Sequence, residues 1–408
     1  MKKVCFIVGQ FPVVSQTFVV NQVVSAINNG LDVAIYTYSK QSCQDASQAN
    51  LLTQYKLLDL TNQIDFKIPK SKIQRLLQGF QLSFKYFKYL KKAGLKNGVR
   101  LFLTLPFKIK YFLTIKNIDV FHVHFGHYGL DVALMKKIGV INAKLIVTFH
   151  GYDANLKNSK EQNNLSKQYQ DLFLQSEKIT VNTSYLKNIL LQLKCNNDKI
   201  EVIPMGINTS LFKNNVVRKI DKNNIINLLS IGRLIELKGH HYAIHAVKEL
   251  INNGFNINYK IIGVGNQKNE LLKLIKELNI TKNVVLVGKK SQEEIKEYFK
   301  KAHLFLMSSV KDSDNRCETQ GIVTVEAQAS GLPVVAFDSG GVKYTFVNNE
   351  TGLLVKEKDT NAYANAIVKL IEDDILYSKL SNAAPEFVNK NFNIDKTSEK
   401  FIALYNQN

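Results

Sequence analysis

Short apolar runs rich in β-branched residues alternate along this chain with longer stretches in which apolar residues recur every three or four positions. The first pattern predicts buried strands and the second amphipathic helices. In the first half, strands are predicted at Lys3–Val8, Asp32–Tyr38, Asp119–His124, Lys144–His150, Lys178–Asn182 and Lys199–Ile203. A helical pattern over Ser15–Asn29 ends at Gly30, a fitting C-terminal cap. In the second half, strands are predicted at Ile226–Ile231, Asn258–Ile262, Asn283–Val287, His303–Met307 and Pro333–Phe337. Helices are expected between them at Gly239–Asn253, Gln267–Leu278, Ser291–Lys301 and Gly321–Ala329, with Ser291 and Glu294 spaced as a capping box. Alternating βαβ units imply parallel sheets covered by helices on both faces. Two such series imply an α/β protein of two doubly wound domains, 1–205 and 206–390. Their hinge is expected at Pro204-Met205-Gly206, and a last helix, about 391–408, is expected to pack back on the first domain.

Length and composition agree with two globular domains: 408 residues, 45% hydrophobic and 22% charged. No stretch approaches the roughly 20 apolar residues that span a bilayer. The opening MKKVCFIVGQFPVVSQ has a basic tip and a short apolar run, but it breaks at Gly9-Gln10-Phe11-Pro12 and lacks a cleavage site of small residues. Cys5, Cys43, Cys195 and Cys317 are far apart and form neither CxxC nor zinc spacing, so free thiols in a reducing cytosol are expected. The net charge of +20 is uneven: residues 1–208 carry +15 and the rest +5. The first half is thus expected to face something anionic.

Candidate chemistry collects where predicted strands end, the place where doubly wound sheets bind ligands. After Ile226–Ile231 come Gly232, Arg233 and Lys238, just before a helix begins. A glycine and two cations at a helix N-terminus form an anion site suited to a diphosphate leaving group. Further on, Glu318 precedes the Gly321–Ala329 helix and Glu326 lies within it, seven residues between them. A carboxylate on a helix can accept both ribose hydroxyls, a loop carboxylate at the helix mouth can touch a sugar, and the backbone at Gly321, Ile322 and Val323 can meet phosphate.

These stretches, namely IPMGINTSLF (203–212), SIGRLIELKGH (230–240), IIGVGNQKNEL (261–271), the E-x7-E pair with EAQASGLPVVAFDSGG, and TGLLV (351–355), resemble glycosyltransferase family 4. GQFPVVSQTFVVNQ (9–22), FHVHFG (121–126) and TFHGYD (148–153) resemble its colanic acid and amylovoran exopolysaccharide branch. The resemblance implies the GT-B fold, two Rossmann-like domains facing across a cleft. It also implies retention of anomeric configuration, no metal and no cofactor, with a nucleotide-sugar co-substrate for which UDP is the expected nucleotide. Arg233 and Lys238 would hold the diphosphate, Glu326 the ribose and Glu318 the donor sugar. His150 would face that sugar from the opposite domain. Gly9, Gly232 and Gly265 would complete the nucleotide-sugar site. Relatives often carry Pro-Glu after Gly-Gly-x, before a TGLLV hairpin, whereas Lys343-Tyr344 stand here. The resemblance leaves room for another GT-B enzyme, such as a sugar-nucleotide epimerase or a glycan phosphorylase, and for a catalytically inactive partner subunit.

His122, His124 and His127 lie close in sequence, yet no nearby Cys completes a zinc site, so metal binding is not expected. His124 is expected to line the acceptor cleft. Residues 66–118 hold thirteen Lys or Arg and no Asp or Glu, with apolar and aromatic residues at helical spacing. Such a basic amphipathic segment fits an anionic membrane surface and a saccharide or polyprenyl-linked acceptor held there. The expected place is therefore the cytoplasm, peripheral on the inner face of the cell membrane. A nucleic-acid partner is not expected, because no helix-turn-helix, zinc or RNP pattern accompanies the charge.

Overall fold

The computed structural model describes residues 1–13, 16–42, 48–94, 103–214 and 218–407. Expectations at Ser15, Cys43, 95–102 and Asn408 lie outside the described residues. Thirteen strands are described: β1 (Lys3–Phe11), β2 (Asp32–Lys40), β3 (Thr61–Gln63), β4 (Val120–His124), β5 (Lys144–Phe149), β6 (Lys178–Val181), β7 (Ile200–Val202), β8 (Ile226–Ile231), β9 (Ile257–Ile262), β10 (Val284–Gly288), β11 (Leu304–Met307), β12 (Val334–Phe337) and β13 (Gly352–Val355). They form two wholly parallel sheets, one ordered β3-β2-β1-β4-β5-β6-β7 and the other β10-β9-β8-β11-β12-β13.

Both faces of each sheet are buried, which is why the strands read as nearly continuous apolar runs. In β1, Cys5 and Ile7 enter one core while Val4, Phe6 and Val8 enter the core on the other face. In β8, Leu228 and Leu229 divide the same way between the two cores of the second sheet. In each sheet the chain starts centrally, winds to one edge and returns to wind to the other. Strand order reverses between β1 and β4, and again between β8 and β11, leaving a crevice at the carboxyl ends of each pair.

The helix Ile394–Asn406 follows the second sheet in sequence but packs on the first. Leu404 and Tyr405 enter the core of Val4 and Phe6. Lys2 Nζ donates to the Tyr405 carbonyl at 3.2 Å and Lys144 Nζ to the Leu404 carbonyl at 2.7 Å. Two cations from the first sheet thus satisfy carbonyls at the helix's negative end. The two crossings between sheets run side by side: Ile207 N–H donates to Phe392 O at 2.8 Å and Ile394 N–H to Ile207 O at 2.9 Å.

Some expectations need correction. Gly352–Val355 is no hairpin arm but the parallel edge partner of β12. β1 runs on through Gly9 and Gln10 to Phe11, because β2 extends alongside and pairs Gln10 with Ser39 and Phe11 with Lys40. His124 is wholly buried and lines no cleft, since its position on β4 points it into the body of the first domain.

Candidate functional site

The site begins at the end of β8. The chain turns through Gly232–Ile235 and a short 3-10 turn, Glu236–Lys238, into the helix His240–Asn252. Gly239 makes this possible at φ 58°, where a side chain would run into the Ser308 carbonyl. The Lys238 stem lies across Gly232, and its ammonium pairs with the Glu318 carboxylate, both side chains being largely shielded from solvent. Arg233 is exposed, with no ion pair to its guanidinium among the described residues. Gly265 lies against the backbone of Leu234, so the turns after β8 and β9 pack directly on each other.

Glu318 belongs to a loop, Asp312–Gly321, that follows β11. Asp312 organises its start by accepting from the Arg316 N–H at 2.8 Å and from Arg316 Nε at 2.7 Å. Gly340 and Gly341, after β12, press against the backbone of Glu318 and Thr319, and Gly341 N–H donates to the Glu318 carbonyl at 2.7 Å. The loop ends at Gly321, which caps the helix Ile322–Ala329. The Ile322 and Val323 N–H groups at that end have no protein acceptor among the described residues. Glu326 lies one turn further in. No hydrogen bond or ion pair reaches its carboxylate among the described residues, and burial pushes its carboxyl up to about 7.

The first domain meets this loop directly. Thr319 Oγ1 donates to the His150 carbonyl at 3.0 Å and accepts from Asn182 Nδ2 at 3.1 Å, while Thr183 Oγ1 donates to the Thr319 carbonyl at 2.7 Å. Gln320 binds both backbone polar groups of Met205, at 2.8 and 2.9 Å. Thr319 fits because the neighbour of His150 is Gly151, held at φ 105°, where a side chain would overlap the threonine methyl. The residue after Glu318, itself paired with Lys238, therefore rests on the turn that begins with His150.

The His150 ring lies among Phe18, Phe125 and His124, with centroids at 4.4, 4.6 and 5.3 Å. Its Nε2 is 3.1 Å from His124 Nδ1, and its Nδ1 is buried without a partner among the described residues. Burial and the neighbouring imidazole hold His150 far below the usual histidine range, so it is neutral. Behind it, His122 stacks on His124 and bonds Tyr405 Oη at 2.6 Å and Thr148 Oγ1 at 2.7 Å. These histidines form a stacked column rather than a metal cage, and no group of three His, Cys, Asp or Glu among the described residues could hold a metal ion. His127 does not join the column; its ring lies on Tyr128 at 4.0 Å. Gly9 is where Tyr128 packs, its hydroxyl filling the space a side chain would need.

Several residues that hold these loops in place are not singled out by the sequence. Asp153 is one: its buried carboxylate accepts from the N–H groups of Gly126 at 2.7 Å, Gly151 at 2.9 Å and His150 at 3.1 Å, and so holds the His150 turn. Burial raises its carboxyl to about 6 in spite of these bonds. Thr319, Asn182 and Gln320 are others. Tyr344 is exposed on a short turn where Lys343 pairs with Asp338 at 3.1 Å.

Two parallel sheets of Rossmann-like order, each covered by helices on both faces, are the architecture of the GT-B fold. Solved structures bear this out: the Anabaena Alr3699/HepE protein in complex with UDP superposes with a TM-score of 0.75 at 16% identity, covering 99% of each chain. Residues 213–387 match the model for glycosyl transferases group 1, and residues 65–211 match glycosyltransferase family 4. The chain is 31% identical over 405 residues to the amylovoran biosynthesis glycosyltransferase AmsK of Erwinia amylovora, covering 96% of each. It is 29% identical over 419 residues to WcaL of Escherichia coli (strain K12), provisionally named a colanic acid biosynthesis glycosyltransferase, covering 98% of this chain and 99% of that one. The chain belongs to this glycosyltransferase family, and its residues are accordingly those of a transferase that takes a nucleotide-sugar donor and a saccharide acceptor.

Proposed function

We propose that this transferase moves a sugar from a UDP-sugar, with retention and without a metal, to a membrane-associated saccharide or polyprenyl-linked acceptor in surface polysaccharide synthesis. It would work in the cytoplasm, at the inner face of the membrane. The observation that carries this reading is the loop of Glu318, which pairs with Lys238, opens the Ile322 helix and rests on the His150 turn through Thr319. Arg233, Lys238 and the free N–H groups of Ile322 and Val323 would neutralise the departing diphosphate, work that a metal performs elsewhere. Glu326 would accept the ribose hydroxyls. The acceptor hydroxyl would attack the anomeric carbon from the side the diphosphate leaves, one C–O bond forming as the other breaks. The departing phosphate oxygen would take the hydroxyl proton, so no protein base is required. The neutral His150 would donate or accept a hydrogen bond to the sugar. Opening about the paired crossings at Ile207 and Ile394 would admit substrates, and the Thr319 and Gln320 bonds would re-form on closure.

One feature favours a second reading: with Lys343-Tyr344 in place of Pro-Glu, the chain could serve as an inactive partner subunit. A panel of UDP-, GDP- and ADP-sugars, assayed for hydrolysis with and without a chelator, separates the two. The expected result is turnover of a UDP-sugar that survives chelation, with the donor's anomeric configuration kept in the product. Loss of all turnover on chelation, an inverted product or hydrolysis of none of the panel would refute the proposal.

A further inference from the structure

The basic segment divides sharply in the fold. The helix Leu105–Phe112 is core, with Leu105, Phe107, Ile109 and Phe112 buried. The helix Lys72–Lys85 is different. Its inward side places Gly79, Leu82 and Ser83 against the body, and Tyr86 and Leu90 beyond it join the first core. Its outward side is also apolar: Ile73, Leu76, Leu77, Phe80 and Phe84 stand at i, i+3, i+4, i+7 and i+11 and are 61–85% exposed. At 3.6 residues per turn these five fall within an arc of about 100°. Phe87, 64% exposed, continues the stripe into the next helix, Phe87–Ala93. Soluble surfaces carry apolar side chains singly, and a row of this kind marks a surface that something covers.

The charges flanking the stripe identify the cover. Lys72, Lys85, Lys88, Lys91 and Lys92 are exposed along the same two helices and Lys70 just before them, and no acidic residue occurs between Asp65 and Asp119. A second copy of this chain would bring an equally basic rim to the contact and be repelled. An anionic bilayer offers both things the surface lacks, acyl chains for the stripe and phosphate headgroups for the lysines. No helix among the described residues is long and apolar enough to cross a membrane, which leaves attachment in the plane of the interface.

We propose that the Ile73–Phe87 face is a lipid-inserting surface that lays the first domain on an anionic membrane. This deepens the membrane-acceptor reading above and rests on it. It assigns insertion to one helix face rather than to the whole of 66–118, and it adds a hydrophobic component that salt does not screen. Attachment is then strongest on anionic vesicles and only partly released by salt.

The chain contains no tryptophan, so Phe84→Trp introduces a single indole within the proposed contact, at its most exposed position. Its emission is to be measured with vesicles of phosphatidylglycerol and phosphatidylcholine, alongside flotation of the wild-type protein and of the triple variant Leu76→Gln/Phe80→Gln/Phe84→Gln. The proposal predicts a blue shift and protection from aqueous quencher on vesicle addition. It also predicts that the triple variant loses vesicle affinity by on the order of tenfold or more while keeping its donor hydrolysis. Wild-type-like flotation of the triple variant, or an indole that stays exposed while the protein floats, overturns the insertion face and leaves membrane attachment standing. Absence of flotation by the wild-type protein overturns both, as does a stable dimer in which the indole is buried without lipid.

Discussion

Glu326→Gln should make the protein more stable and worse at holding its donor, and the two effects should follow pH in a defined way. Burial raises the Glu326 carboxyl from its ordinary 4.5 to about 7. The unfolded chain gives up this proton near 4.5, whereas the folded chain keeps it until about 7. Between those values the folded state holds one more proton, so its stability falls as pH rises through the window and levels off above it. The difference amounts to up to about 3 kcal/mol at pH 8. Glutamine has no such proton, so the variant should gain on the wild type by up to that amount between pH 5 and pH 8, as read by chemical denaturation of the ligand-free proteins. Donor binding runs the other way. Ribose hydroxyls donate to a carboxylate, so wild-type affinity for UDP should rise as pH passes 7. The variant should bind roughly tenfold to a hundredfold more weakly and without that pH dependence, from the usual 1.5–3 kcal/mol of a charged hydrogen bond. Calorimetric titration at pH 6 and pH 8 measures this. Equal UDP affinity in the two proteins at pH 8 would refute the role assigned to Glu326.

His150→Ala should fold with a loss of about 2–4 kcal/mol, because it vacates a ring packed among Phe18, Phe125 and His124, and transfer should fall by at least about a hundredfold; wild-type turnover in the folded variant would remove His150 from the mechanism. Lys238→Ala leaves the Glu318 carboxylate without its cation and takes one charge from the diphosphate, so kcat/KM should drop by about a hundredfold or more. Unchanged kinetics there would place the phosphates elsewhere. Tyr405→Phe removes the 2.6 Å bond to the buried His122 and should cost about 1–3 kcal/mol in denaturant unfolding, with no effect on KM for the donor.

Much of this architecture was readable because both faces of each sheet are buried, so the strands announce themselves as apolar runs. β3 did not, for Thr61, Asn62 and Gln63 carry no apolar signal and pair only because β2 lies alongside. Gly352–Val355 follows the polar Asn348–Thr351 turn, which reads as a hairpin; the parallel pairing with β12 is a long-range fact invisible to local pattern. Arg233, Lys238, Glu318 and Glu326 are candidates that motifs and a place at strand and helix ends single out in the sequence. Asp153 closes the TFHGYD stretch, but its part, like that of Thr319, is played through backbone groups that only the folded chain brings near. His122 is the extreme case: its Nδ1 partner, Tyr405, lies 283 residues away on a helix that returns from the other domain. The outward face of the Lys72–Lys85 helix shows the opposite limit. Its sequence gave the amphipathic period and the charge, but not that the apolar side remains open to solvent.

The grip of the second domain on the nucleotide is the claim on which the mechanism depends, and a crystal structure of the protein soaked with UDP tests it most directly. The expected result is ribose hydroxyls on the Glu326 carboxylate and the diphosphate between Arg233, Lys238 and the amides of Ile322 and Val323. Nucleotide bound instead at the β1–β4 crevice of the first domain, or a second-domain crevice still empty at saturating UDP, would contradict it.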